Sequence, residues 1–210
     1  PRGARRLVTE VVVYRKGRLD SGSFIYDIDE LVSPAEPEYE RLIDYTRKVV
    51  RSLGIENGPS HAEVMLTENG PKLVEIAART DGILRPEVSE QTTGLGQISA
   101  TVMSIVEPEQ FERLLDAKAG YELLRHSYNV CLINRSPGRF TNELFLRELV
   151  KLESYFDAVF YVGSGQPVGL TTDVFSQPGT IYLVHADNAV IKADYLKLRA
   201  LEALGVYLAP

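Results

Sequence analysis

Two runs of residues, 60–66 and 72–79, flank the dipeptide Asn69-Gly70 and alternate between apolar and polar side chains. An Asn-Gly pair between two alternating runs is a strong sequence signal for a β-hairpin. Successive side chains on a strand point to opposite faces of the sheet, so each run presents one apolar and one polar face. The sequence therefore predicts an antiparallel hairpin with polar side chains gathered on one face.

Glu63 and Glu75 lie within these two runs, and the length of the turn decides whether they meet. A two-residue turn sets Glu63 across from Ile76. A three-residue loop with Gly70 in the left-handed conformation sets it across from Glu75, with His61 on the same face. We expect the longer loop, because it gathers the apolar side chains on the opposite, buried face. Those residues are Ala62, Val64, Val74, Ile76 and Ala78.

Two carboxylates directly opposite each other repel and destabilise a sheet unless something compensates their charge. A divalent cation between Glu63 and Glu75 would compensate it, and oxygen ligands of this kind suit Mg²⁺. The alternative left open at this point is that both carboxylates face water, since antiparallel sheets commonly have one solvated face.

Two further side chains at this hairpin are candidates for chemistry. Arg79 follows Glu75 by four residues and ends the second run. Its guanidinium can bind a phosphate or carboxylate through paired N–H groups, or form an ion pair with either glutamate. His61 is a candidate base or substrate ligand, with a purely structural role as the alternative.

The spacing of apolar residues elsewhere predicts further elements. Residues 33–36, Ser-Pro-Ala-Glu, have the spacing of a capping box and predict the start of a helix that ends at Gly54. We expect other helices at 96–106, 108–115, 142–153 and 189–204, and other strands at 7–16, 24–26, 126–134, 156–162 and 181–185. This mixture predicts an α+β fold in two parts, 1–116 and 120–210, joined by a hinge at 117–120.

Composition limits the classes of function. The chain has 23 basic and 29 acidic residues and a net charge of −6, so it lacks the basic surface that nucleic-acid binding requires. Its apolar runs are shorter than the ~20 residues of a membrane-spanning helix. A lone cysteine, Cys131, fits a reducing compartment, and residues 1–11 lack the pattern of a signal peptide. We expect a soluble, cytoplasmic protein that binds neither nucleic acid nor membranes.

The order of residues in the hairpin also resembles a known pattern. His61 and Glu63 form a His-x-Glu strand, and the second strand ends in Glu-x-x-x-Arg at Glu75 and Arg79. With this pattern, the chain resembles the ATP-grasp superfamily, and more closely its carboxylate–amine ligases such as the L-amino-acid ligases. The resemblance implies an antiparallel sheet with helices in residues 1–116, as in the C-terminal half of an ATP-grasp domain. Residues 120–210 are similar to the small C-terminal α+β domain of those enzymes.

The resemblance also implies an activity. Glu63 and Glu75 would hold Mg²⁺, with Mn²⁺ as a substitute, against the phosphates of ATP. Arg79 would bind the γ-phosphate or an acyl phosphate, and His61 would line the substrate pocket. In the implied reaction ATP phosphorylates a small carboxylate, an amine attacks the acyl phosphate, and ADP and phosphate leave. Amino acids are the expected substrates.

This sequence departs from the family pattern in two respects. Ala77 stands where many members have an asparagine that also binds the metal. The N-terminal half that binds adenine has no counterpart before Leu7, so we expect this half as a partner and no ligase activity from the 210-residue chain alone. A homodimer is left open. The alternatives are a non-catalytic binding module derived from the ATP-grasp fold, and a metal-dependent hydrolase that uses the acidic pair and His61.

Overall fold

A computed structural model describes residues 2–3, 5–19, 22–83, 85–117 and 120–209 of the chain. The strands are β1 (Val12–Arg18), β2 (Phe24–Leu31), β3 (His61–Thr67), β4 (Gly70–Ala77), β5 (His126–Cys131), β6 (Gly138–Arg139), β7 (Tyr155–Phe160), β8 (Pro167–Val168) and β9 (Gly179–His185). The helices are α1 (Pro37–Ser52), α2 (Pro86–Thr93), α3 (Gln97–Val106), α4 (Pro108–Ala117), α5 (Glu143–Leu149) and α6 (Asn188–Ala203). The predicted α+β class is confirmed. None of the helices in these ranges is both long and apolar enough to cross a lipid bilayer.

The chain forms two compact units, and each is made of two separate segments. Unit 1 contains Pro1–Val11 and Val32–Leu124, and unit 2 contains Val12–Leu31 and Arg125–Pro210. The hairpin β1–β2 belongs to unit 2 because β2 pairs with β5. This division differs from the predicted one, which placed the whole of residues 1–116 in the first part. Residues 118 and 119 of the predicted hinge, like residues 20 and 21 of the loop after β1, lie outside the described residues.

Unit 2 is built on a five-stranded antiparallel sheet with the strand order β1-β2-β5-β9-β7. Helix α6 contacts the central strand β5 and its neighbour β9. The close approach of β7 to β9 explains Gly179, because a Cβ at this position would lie 2.4 Å from the backbone oxygen of Val159. The fully buried residues of the core are Val130, Leu132, Phe140, Phe145, Leu149, Ile181, Leu183, Ile191, Leu198 and Tyr207.

A buried ion-pair cluster joins α6 to β2 in unit 2. The guanidinium of Arg199 donates to the carboxylates of Asp27 and Glu202 and, at 2.9 Å, to the carbonyl of Cys131. The Glu202 carboxylate also accepts the backbone N–H of Ile133 at 2.7 Å. Only 18% of the Arg199 side chain and 5% of the Glu202 side chain are exposed, so both charges depend on these partners.

Helix α1 in unit 1 begins one turn later than the sequence suggests. Its first residue is Pro37, and Glu36 precedes it without a side-chain cap, so the predicted capping box at residues 33–36 is wrong. A second proline in the segment explains the difference, because proline is favoured at the first helical position wherever the helix begins. The predicted end is confirmed: Gly54 has φ +67°, and the backbone N–H of Ile55 donates to the carbonyl of Val50 at 3.2 Å.

Tyr121 joins the segments of unit 1 that lie next to the β1–β2 insertion. Its hydroxyl accepts the backbone N–H of Val11 at 3.1 Å and donates to the carbonyl of Val32. The N–H of Val32 also donates to the carbonyl of Val11 at 3.1 Å. The two ends of the inserted hairpin are therefore held side by side.

Candidate active site

The predicted pairing of the two glutamates is confirmed. In the hairpin β3–β4, Glu63 lies directly across from Glu75, and His61 lies across from Ala77. Residues 61 and 63 are two positions apart on one strand, so His61, Glu63 and Glu75 share a face of the hairpin. The hairpin therefore brings together three of the four predicted site residues.

The register arises from a bulge and not from the predicted three-residue loop. Thr67 pairs with Gly70, which has φ +90°, so the turn contains two residues. Val64 then pairs with Leu73, and Val74 has no partner in the ladder. This extra residue supplies the one-position offset that brings Glu63 to Glu75.

The bulge also changes which side chains are covered. Ala62, Val64 and Ile76 are half-buried, but Val74 is 61% exposed and Ala78 is exposed. The predicted buried face is thus wrong for these two residues: Leu73 is the partner of Val64, and Ala78 lies beyond the end of β4. Helix α1 contacts both strands.

The contacts of the site residues differ from one to the next. The Nε2 atom of His61 lies 3.8 Å from Oε1 of Glu63, and their side chains are 17% and 31% exposed. Glu75 is exposed. The two carboxylates thus lie at a solvent-accessible surface, beside an imidazole that can donate or accept a proton.

Arg79 lies two residues beyond the pair of His61 and Ala77, at the same end of the hairpin. Its guanidinium is exposed and donates to the carbonyl of Thr80 at 2.8 Å. In the described part of the chain it forms no ion pair with either glutamate. Its other N–H groups are therefore available to an anionic ligand.

The paired carboxylates fit a magnesium ion that also binds phosphate. Mg²⁺ is usually held by one or two carboxylates together with substrate phosphates and water, so two glutamates are a sufficient protein contribution. Within the described ranges there is no group of three or more His, Cys, Asp or Glu residues placed to hold a metal ion. Ala77 has no ligand atom in its side chain. Two carboxylates are thus the ligands that this hairpin offers to a metal ion.

The sequence gives no signal for a further residue at this site, Gln97. Its side-chain Oε1 accepts the backbone N–H of Asp81 at 2.8 Å, and its Nε2 donates to the carbonyl of Ser60 at 3.0 Å. Ser60 immediately precedes β3, and Asp81 follows Arg79 by two residues. Gln97 is the first residue of α3 and is separated from both residues in sequence, so only the fold brings them together.

Glu10 contacts the first residue of α3 and a residue of α2. Its Oε1 accepts the hydroxyl of Ser89 at 2.5 Å, and its Oε2 accepts the backbone N–H of Gln97 at 3.4 Å. Burial raises the pKa of Glu10, although the bonds from Ser89 and Gln97 oppose this effect. The negative charge of Asp81 raises the pKa further.

The raised pKa of Glu10 predicts a pH dependence of stability. The folded protein binds this proton more tightly than the unfolded chain, so the stabilisation is complete below the unfolded pKa and is lost as pH rises through the folded one. We expect Glu10→Gln to remove this loss. Between about pH 5 and pH 7, above the ordinary pKa of a glutamate, the free energy of unfolding of the variant should therefore rise relative to that of the unchanged protein. Urea unfolding at both pH values measures the difference, and parallel pH profiles for the two proteins would contradict the assignment.

No family model matches the chain. The chain is 30% identical over 186 residues to dapdiamide A synthase from Enterobacter agglomerans, an alignment that covers 87% of this chain and 43% of that protein. It thus spans less than half the length of this relative.

Solved structures resemble the chain in fold. The L-amino acid ligase from Bacillus licheniformis superposes with a TM-score of 0.70 at 20% identity, over 90% of this chain and 48% of that one. N5-carboxyaminoimidazole synthase from Aspergillus clavatus, solved with ADP and 5-aminoimidazole ribonucleotide, gives a TM-score of 0.56 at 16% identity. That match covers 91% of this chain and 47% of the other. The resemblance to the ATP-grasp superfamily that the hairpin motif predicts is thus confirmed by similarity of sequence and of fold.

Proposed function

We propose that the chain is the C-terminal part of an ATP- and Mg²⁺-dependent ligase that joins a small carboxylate to an amine through an acyl phosphate. The observation that carries this proposal is the direct pairing of Glu63 with Glu75, at the end of the hairpin where Arg79 lies. Opposed carboxylates repel each other and destabilise a sheet, and a bound divalent cation would compensate this repulsion. The similarity to dapdiamide A synthase and to an L-amino acid ligase supports amino acids as the substrate class.

Four side chains of the hairpin region would bind the metal, the phosphate and the substrate. Glu63 and Glu75 would hold Mg²⁺, which when bound neutralises charge on the phosphate oxygens; Mn²⁺ would substitute for it. Arg79 would bind the transferred phosphoryl group through two N–H groups and hold it in line with the substrate carboxylate. His61, next to Glu63, would line the pocket for that carboxylate. The adenine-binding half would come from a further segment of the same protein, since the matches cover only 43% and 48% of the two relatives.

The test is an assay of the full-length gene product with ATP, Mg²⁺ and pairs of amino acids. We expect ADP, phosphate and an amide product in equal amounts, and no turnover after the metal is removed with EDTA. Hydroxylamine in place of the amine should trap the acyl phosphate as a hydroxamate. Metal-dependent hydrolysis of an amide in the absence of ATP, with no ATP-dependent amide formation, would instead indicate the metal-dependent hydrolase and would overturn the proposal.

A second candidate is a non-catalytic binding module that keeps the ATP-grasp architecture. The side chain of Ala77 favours it, because this position contributes no ligand to a metal. The module would bind Mg²⁺·ATP or an amino acid without releasing phosphate. Equilibrium binding of ATP combined with a complete absence of ADP formation would favour the module over the ligase.

A further inference from the structure

The side chain of Gln97 connects the two chain segments that enter and leave the carboxylate hairpin. Its amide oxygen accepts the N–H of Asp81 at 2.8 Å, and its amide nitrogen donates to the carbonyl of Ser60 at 3.0 Å. The last pair of the β-ladder is His61 with Ala77, so both contacts lie beyond the ladder. A side-chain amide carries its donor and its acceptor on separate atoms, so it can satisfy both backbone groups at once.

These contacts lie close to the site residues. Ser60 is three residues before Glu63, and Asp81 is two residues after Arg79. The turn end of the hairpin is more exposed to solvent: Met65 is 59% exposed and Leu66 is 42% exposed. At the other end of the hairpin, the two backbone segments are held to each other through the side chain of Gln97.

Gln97 is itself fixed by its surroundings. Its backbone N–H donates to Glu10, whose other oxygen accepts the hydroxyl of Ser89 at 2.5 Å. Gly96 precedes it, and a Cβ on this glycine would lie 2.3 Å from the Cβ of Ser89. Glycine thus allows α3 to begin against α2. A contiguous set of contacts runs from Glu10 through the start of α3 to the two segments that enter and leave the hairpin.

We propose that Gln97 is a positioning residue for the proposed metal and phosphate site. By joining Ser60 to Asp81, it fixes the spacing of the two segments just beyond the end of the ladder that lies nearer the paired carboxylates. This inference rests on the proposed function, because it assigns Gln97 a role only if the pair binds a metal. Ligands that are already held in the binding geometry bind a metal more tightly than ligands that must be ordered on binding, so the fixed spacing has a direct use.

The test compares variants of the full-length gene product. Gln97→Met keeps the length and helix propensity of the side chain but loses both hydrogen bonds. Ser99→Ala is the matched control, since Ser99 lies on the same helix and loses a bond of 3.0 Å to Glu90 that does not involve the hairpin. Gln97→Asn, whose shorter amide cannot span both partners, serves if Gln97→Met does not fold. Two quantities are measured: Mn²⁺ affinity in the presence of ADP by electron paramagnetic resonance, and the Mg²⁺ dependence of turnover.

We expect Gln97→Met to weaken Mn²⁺ binding about 5-fold or more, the equivalent of one or two lost hydrogen bonds. The Mg²⁺ concentration for half-maximal turnover should rise in parallel, while kcat at saturating Mg²⁺ should recover. A residue with only a structural role would lower the thermal stability without moving the metal dependence. Ser99→Ala should match the unchanged protein in both measurements.

Two other results would overturn the inference, and they are distinguishable. Unchanged metal dependence in Gln97→Met, together with impaired binding in Glu75→Gln, would remove the role of Gln97 and leave the proposed function intact. Absence of both Mn²⁺ binding and ATP turnover in the unchanged protein would overturn the proposed function, and the inference with it.

Discussion

Replacing Glu75 with glutamine is expected to lower the ATP-dependent turnover of the full-length protein by about 100-fold or more, the size of loss seen when one electrostatic group is removed from an active site. The amide keeps the size of the side chain but offsets much less of the metal's charge. Because Glu75 lies directly opposite Glu63, the same change removes a repulsion between like charges. The free energy of unfolding should therefore stay the same or increase slightly while the activity falls.

The matched control for this prediction is Glu68→Gln. Glu68 lies in the turn of the same hairpin and is exposed, and it pairs with no residue of the opposite strand. It removes one negative charge from the same element without touching the paired carboxylates. Equal losses of turnover in the two variants would mean that the hairpin's overall charge matters and would exclude a specific metal site.

Replacing Arg199 with methionine is expected to lower the free energy of unfolding by about 3–5 kcal/mol, the usual result of removing one partner from a buried ion pair. The change leaves Glu202 with a side chain 5% exposed and no opposing charge. Burial already raises the pKa of Glu202, and the Arg199 guanidinium opposes that rise. Without Arg199 the pKa of Glu202 increases further. The loss of stability should therefore be larger at about pH 8, where the unfolded chain has an ionised Glu202, than at about pH 5.

Chemical denaturation of three variants tests this second prediction. Arg147→Met is the control, because Arg147 is an exposed arginine on α5 and surface substitutions usually change stability by less than about 0.5 kcal/mol. Arg199→Met combined with Glu202→Leu should recover part of the loss, since the unpaired buried charge is then gone. If the double variant is no more stable than Arg199→Met, the cost does not come from the isolated carboxylate.

The sequence predicts those parts of the site that depend on local rules. Alternation along a strand places His61 and Glu63 on one face, and a hairpin signal brings Glu75 to them. The bulge at Val74 is not predictable in this way, because the pairing of Glu63 with Glu75 is compatible with either a longer loop or an extra residue in one strand. Only the packing of the whole hairpin decides between these two solutions.

Other features escape the sequence because distant residues determine them. Helix α2 has buried polar residues, Ser89 and Thr92, on its inner face, so it lacks the apolar period that marks a helix. Strand β2 was expected only over residues 24–26, because its charged residues mask the alternation. Its pairing with β5 cannot be inferred from neighbouring residues, and neither can the contacts of Gln97.

In the sequence, β1 and β2 lie between the two segments of unit 1, and this position has a consequence for the order of events during synthesis. The direct bond from Val32 to Val11 can close the base of the hairpin early, and the bonds of both residues to Tyr121 can form once residue 121 has left the ribosome. The edge of β2 must then wait for β5, because Ile28 pairs with Val130, about 100 residues later, and pairings of such separation form slowly. An unpaired strand edge is a template for association with other chains. We therefore expect nascent chains that stop shortly before β5 to aggregate, and chains extended through β9 to remain dispersed.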